Sequence, residues 1–209
     1  MTVANYLTFF RIFISPIFLL VYLEHQVLGI SPVLLPYILL CLLGISELSD
    51  LLDGILARRY NQVTDLGKLL DPMADSISRI SVFLTFTLPP VHLPMLLIFA
   101  FLYRDSVIST LRTVCALKGF ALAARPSGKR KAVLQGIAAL IVVLAMIPHS
   151  LGYLSTESLS YIATVSVGIA GIYALYSGAE YLYANRTYVL RLLTSSSKVC
   201  TNHEAGKAL

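Results

Sequence analysis

The chain has 209 residues, of which 57% are hydrophobic and only 13% charged, with a formal charge of +5 and a mean hydropathy of +0.78. Soluble domains carry about one quarter charged residues. So few polar groups cannot cover a water-facing surface, which argues against a soluble helical protein and for one helical membrane domain.

Apolar runs near the roughly 20 residues needed to cross a bilayer predict six spans, at 8–24, 33–53, 68–88, 93–116, 131–152 and 158–184. The first opens within "NYLTFFR", where Asn5, Thr8 and Arg11 fall on one helical face. No Lys or Arg precedes this run and no small-residue cleavage site follows it, so a cleaved signal peptide is not expected. The second and third spans carry aspartates: Asp50 with Asp53, and Asp71 with Asp75. Between them, "RYNQVTDLG" at 59–67 is polar, ends on glycine and reads as a connection. The fourth span holds Arg104 and Arg112, and "RPSGKRK" leads into the fifth. After the sixth, residues 193–209 lose the apolar pattern and read as a cytoplasmic tail, leaving 1–192 as the membrane domain.

Charge orients these spans. The connections at 25–32, 89–92 and 149–157 have no Lys or Arg, whereas Arg58, Arg59, Lys68, Lys118, Arg125, Lys129, Arg130, Lys131 and the tail cations share the other side. The positive-inside rule puts that side and both termini in the cytoplasm. Topology thus accounts for the basic balance without nucleic acid. Cys41, Cys115 and Cys200 are too dispersed for a disulfide framework or zinc site and read as inert, with the two in apolar runs buried. The four histidines do not cluster and read as loop or tail residues.

Each aspartate pair shares one helical face. On one continuous helix the two pairs would lie about 27 Å apart, at 1.5 Å per residue; on an antiparallel hairpin they converge. Four converging carboxylates repel one another in a medium that penalises even one ionised group by about 2.5–3.5 kcal/mol. Divalent cations relieve that cost, and an all-oxygen donor set suits hard ions such as Mg²⁺ or Mn²⁺. Gly54, Ala57 and Gly67 leave room for close approach, either by a packed helix or by a ligand. Arg58 has two readings: it snorkels to headgroups, or it grips a substrate phosphate.

Residues Asp50, Asp53, Gly54, Ala57, Arg58, Gly67, Asp71 and Asp75 reproduce the pattern D-x2-D-G-x2-A-R-x8-G-x3-D-x3-D. This resembles the signature of the CDP-alcohol phosphotransferase family, with every fixed position and spacing kept. The resemblance implies an all-α, six-transmembrane-helix fold over roughly residues 3–190 and transfer from a CDP-linked donor, with two divalent ions held by Asp50, Asp53, Asp71 and Asp75. Asp75 matches the general base for the incoming hydroxyl. Gly54, Ala57, Arg58 and Gly67 match positions around the CDP moiety, and Asn5, Thr8 and Arg11 match an opening common in bacterial members, near the nucleotide.

Arg104, Leu111, Arg112 and the run Gly128, Lys129, Arg130, Lys131 with Gln135 resemble the phosphatidylglycerophosphate synthase branch. Two arginines within a span, facing a basic helix start, form a cationic pocket for a phosphate on the acceptor, lined by Arg104, Arg112, Ser127, Lys129 and Lys131. The branch implies CDP-diacylglycerol as donor, sn-glycerol 3-phosphate as acceptor, a homodimer and a bacterial cytoplasmic membrane. Asp105 stands where the branch has Glu, and Glu47 where small residues are usual. An inositol-phosphate acceptor is the runner-up. An ion or proton carrier would also place carboxylates in the membrane, but broken helices and inverted repeats are not evident in the sequence.

Overall fold

The computed structural model describes residues 3–59, 65–117 and 126–187, with side chains at 10–50, 73–115 and 126–187. Within them lie six helices and no strand: α1 (Val3–Leu23), α2 (Leu35–Arg59), α3 (Asp65–Thr85), α4 (Met95–Leu117), α5 (Pro126–Ser150) and α6 (Thr156–Ala184). Each helix overlaps one of the six apolar runs, in order, with ends displaced by a few residues. The displacement is largest around the polar connection. There α2 runs on to Arg59 and α3 starts at Asp65, so Gly67 lies inside a helix rather than closing a loop. The tail beyond 187, with Cys200 and His203, lies outside the described residues.

Local chemistry sets several ends. Pro126 occupies the first turn of α5, where a missing N–H costs nothing. Ser155 caps α6, its Oγ accepting from the Ser158 amide at 3.2 Å, and Glu157 in the first turn favours the positive helix end.

Helix α1 packs on both α2 and α3; α5 packs on α2, α3 and α6; α4 bridges α3 and α6. The buried residues change character along the helices. Toward the connections at 24–34, 86–94 and 151–155 the interior is apolar, with Phe18, Tyr22, Leu39, Phe83, Phe86, Phe101, Val142 and Leu159. Phe83 stacks on Phe101 with ring centres 5.1 Å apart, and Phe18 meets Phe86 edge-on at 6.1 Å. Toward the opposite end the buried side chains become polar: Arg11, Ser46, Ser49, Ser78, Asp105, Ser127, Lys131, Gln135 and Ser177. One half is a packed apolar core, and the other is built for chemistry.

The outer surface is rich in large apolar side chains, including Leu96, Phe99, Ile169, Ile172 and Tyr176. A water-soluble monomer does not expose apolar area on that scale. Among the described residues, α5 and α6 are long and apolar enough to cross a membrane unaided. The charges on α2, α3 and α4, including Glu47, Asp50, Asp75, Arg79, Arg104, Asp105 and Arg112, lower their apolar character. Cys115 is buried as expected, but Cys41 is exposed. When a fold turns apolar residues outward, an apolar run no longer implies burial. His25 and His92 lie in connections; His149 sits in the last turn of α5, its Nδ1 2.9 Å from the Leu154 carbonyl.

Candidate active site

Arg11 of α1 is almost wholly buried, and its Nη1 lies 2.5 Å from Asp50 Oδ1 and 4.0 Å from Asp75 Oδ1. One nitrogen touching both means that α2 and α3 bring these two carboxylates to a single space beside α1. Both stay partly open, with side-chain exposures of 44% and 33%, which leaves them accessible to a ligand. Asp75 Oδ1 also accepts from Arg79 Nε at 2.8 Å, one helical turn on, and Arg79 Nη1 donates to the Ala132 carbonyl of α5. Glu47 interacts electrostatically with Arg79, Asp75, Asp50 and Arg11. Its carboxylate lies 3.5 Å from where a Cβ on Gly136 would stand, so it fits between α2 and α5. Ser46 and Ser78, with hydroxyl oxygens 3.3 Å apart, tie α2 to α3 nearby.

Three carboxylates and two guanidinium groups therefore share one end of the bundle. The donors are carboxylate oxygens, the class that Mg²⁺ and Mn²⁺ prefer. A buried cationic nitrogen already occupies the position facing Asp50 and Asp75, so positive charge is favoured there. The residues fit a hard divalent ion. Among the described side chains no three metal-ligating groups converge. The side chains of Asp53 and Asp71, and of Ala57 and Arg58, lie outside those described, as do those of Asn5 and Thr8; Gly54 and Gly67 are placed by backbone only, in α2 and α3.

A second polar group sits next to the first. Asp105 of α4 accepts from Lys131 Nζ with both oxygens, at 2.7 and 2.6 Å. Arg104 Nη1 reaches Asp105 Oδ1 at 2.9 Å, and Ser76 Oγ donates to Oδ2 at 3.2 Å. Arg104 Nη2 donates to Ser177 of α6 at 2.9 Å. A single buried carboxylate thus joins α3, α4 and α5, and its neighbour Arg104 adds α6. Among the described contacts two cations, Arg104 and Lys131, flank the one carboxylate of Asp105, and guanidinium and ammonium groups are the ones that bind an anionic ligand. Ser76 follows Asp75 in sequence, so this cluster is fastened directly to the acidic one.

Of the expected acceptor-phosphate residues, Arg104 and Lys131 come together around Asp105. Ser127 is buried one helical turn before Lys131 on the same face of α5, and Lys129 is exposed at the helix start. Arg112 stands apart, two turns along α4 from Arg104, with its guanidinium 5.3 Å from the Tyr181 ring centre and its Nε donating to the Tyr181 hydroxyl at 3.2 Å. Sequence reasoning passed over Arg79, although its i+4 spacing from Asp75 is a readable signal. It treated Asp105 only as a departure from a pattern. The tie from Asp105 to Lys131 spans 26 residues and carries no local signal.

The family model for CDP-alcohol phosphatidyltransferase matches residues 1–174. The chain belongs to that family. The match covers α1 to α5, most of α6 and the whole aspartate signature. A Rickettsia typhi relative, named CDP-diacylglycerol–glycerol-3-phosphate 3-phosphatidyltransferase, is 29% identical over 186 residues, covering 88% of this chain and 97% of its own length. A Bacillus subtilis relative of the same name is 30% identical over 191 residues, covering 87% of this chain and 93% of its own. A Streptomyces coelicolor cardiolipin synthase (CMP-forming) is 34% identical over 120 residues, covering 57% of this chain and 54% of its own. For this CDP-alcohol phosphatidyltransferase, family membership and the apolar helices together indicate a membrane protein.

Proposed function

We propose that this protein transfers the phosphatidyl group of CDP-diacylglycerol to sn-glycerol 3-phosphate, giving phosphatidylglycerophosphate and CMP. The observation that carries the reading is the near full-length similarity to the rickettsial enzyme of that name. The site's chemistry supports it: partly open carboxylates for a diphosphate-bound cation lie beside the Asp105 cluster, whose two cations suit an acceptor phosphate.

In this reading six spans place both termini and the site at the cytoplasmic face. Asp50, Asp53, Asp71 and Asp75 would hold two divalent ions, Mg²⁺ or Mn²⁺, which when bound supply Lewis-acid polarisation of the diphosphate. The remaining work falls to the chain itself. Arg11, Arg58, Asn5 and Thr8, with Gly54, Ala57 and Gly67, receive the CDP moiety. Arg104, Lys131, Ser127, Lys129 and Arg112 draw in the acceptor phosphate. Asp75 takes the proton of the acceptor hydroxyl as its oxygen bonds to the β-phosphorus, the bond from that phosphorus to the CMP oxygen breaks, and CMP leaves. Arg79, bonded to Asp75 Oδ1, orients that carboxylate and balances its charge.

A second reading, cardiolipin formation with release of CMP, draws on the Streptomyces relative. One assay separates the readings. Purified protein with CDP-diacylglycerol and Mg²⁺ or Mn²⁺ should release CMP when glycerol 3-phosphate is added, make phosphatidylglycerophosphate, and lose activity on chelation. Cardiolipin as product with phosphatidylglycerol in place of glycerol 3-phosphate would favour the second reading, and CMP release with inositol phosphate in place of glycerol 3-phosphate would move the acceptor to the runner-up. Asp75→Asn should cut turnover by about 10²–10⁴-fold, the usual worth of a positioned base. A rate near normal in that variant would remove Asp75 from the role.

A further inference from the structure

Gln135 is 1% exposed, and its Oε1 has no hydrogen-bond partner among the described residues. A buried amide left unpaired costs about 1–3 kcal/mol, so a fold that keeps one needs a reason. Its place supplies one. Ser127, Lys131 and Gln135 succeed one another at one-turn intervals on the buried face of α5. Lys131 is fixed in the Asp105 cluster, and two further buried polar atoms around it also lack partners among the described residues: Ser127 Oγ and Arg104 Nε. These unmet groups differ in kind. The Arg104 N–H and the Ser127 hydroxyl can donate to phosphate oxygens. A side-chain amide offers both a donor and an acceptor. A fully ionised phosphate can only accept, so it leaves the amide oxygen unsatisfied, whereas an alcohol hydroxyl both donates and accepts.

Resting on the acceptor reading above, we infer that the Gln135 amide is a specificity-determining contact for a non-reacting hydroxyl of a phosphorylated polyol acceptor. The reacting hydroxyl gives its proton to Asp75, and the acceptor phosphate meets Lys131, Arg104 and Ser127. The hydroxyl that keeps its proton is left to Gln135. The acceptor is then recognised at both ends, by charge at the phosphate and by a paired amide at the polyol. A site built to hydrogen-bond a hydroxyl rejects the analogue that lacks it, because the buried group is then stranded.

The test compares sn-glycerol 3-phosphate with 3-hydroxypropyl phosphate, which keeps the phosphate and the primary hydroxyl but lacks the middle one. With CDP-diacylglycerol fixed, the wild-type protein should prefer glycerol 3-phosphate in kcat/KM by about tenfold or more, the equivalent of one such contact. Gln135→Met should bring that ratio close to one, mainly by losing activity on glycerol 3-phosphate, with the KM for CDP-diacylglycerol unchanged. A purely structural glutamine would lower both acceptors alike, and an unchanged ratio in Gln135→Met would overturn the inference. Should that variant not fold, wild-type selectivity decides: equal kcat/KM for the two acceptors overturns the proposal without any variant. Failure of the acceptor reading looks different, because wild-type protein would then give no CMP with either phosphate.

Discussion

At the scale of single residues, the strongest constraint is the buried charge on Asp105 and Lys131, each with a side chain only 7% exposed. A buried ion pair is weak evidence for stability, because desolvating both charges cancels much of their attraction. Breaking one is different, since it strands the remaining charge. Asp105→Ala leaves Lys131 and Arg104 facing each other with nothing between them, and should cost about 3–5 kcal/mol. The double variant Asp105→Ala with Lys131→Met removes the stranded ammonium, and should lose less than the two single variants combined, with a coupling of about 1–3 kcal/mol. Thermal unfolding of the four proteins in one detergent measures this cycle. Strict additivity would mean that the two groups do not depend on each other, and the Asp105 cluster would then be a set of separate contacts.

At the scale of helices, α6 shows how small residues position a functional side chain. A Cβ on Gly178 would stand 3.0 Å from Arg104 Cγ, near the root of that side chain, whereas nothing lies within 4 Å of one on Gly168 of the same helix. Alanine is favoured over glycine in a helix by about 1 kcal/mol. Gly168→Ala should therefore stabilise the protein by up to that amount. Gly178→Ala should forfeit the gain, shift Arg104 from Ser177 and raise the acceptor KM about fivefold while sparing the donor KM, an effect of roughly 1 kcal/mol. Steady-state kinetics with each substrate varied in turn would check the split, and equal changes in both KM values would contradict it. The helices themselves were legible in the sequence, because apolar runs and uncharged connections mark them without tertiary information. Their polar ends were not. Gly67 reads as a loop end because glycine near polar residues usually marks a turn, yet its backbone is helical. The gathering of Asp50 and Asp75 was legible from two helical pairs on neighbouring spans. The matching arginines were less so: Arg11 meets Asp50 across 39 residues. Arg104 and Lys131 were readable as cations, but not the intervening Asp105 that sets how much of their charge a ligand can use.

At the scale of the whole molecule, polarity is divided along the bundle. The apolar core lies near the connections at 24–34, 86–94 and 151–155, which carry no Lys or Arg, and the ionised groups cluster at the other end beside Lys129 and Arg130. A donor with two acyl chains and a nucleotide needs that division, since its tails belong in lipid while its diphosphate must reach water-borne acceptor. The proposed topology draws on the same division, because cytoplasmic loops retain Lys and Arg. Val27 and Tyr153 are more than four-fifths exposed on the uncharged side. With Cys41, Cys115 and Cys200 replaced, a single cysteine at Val27 or Tyr153 should react with a membrane-impermeant maleimide in cells whose cytoplasmic membrane is intact. A single cysteine at Arg130 should react only once that membrane is opened. Labelling at Arg130 in intact cells, with Tyr153 protected, would invert the orientation and put the aspartates on the side away from the nucleotide pool. Labelling of Val27 and Tyr153 from opposite sides would break the paired arrangement of spans on which the shared position of Asp50 and Asp75 depends.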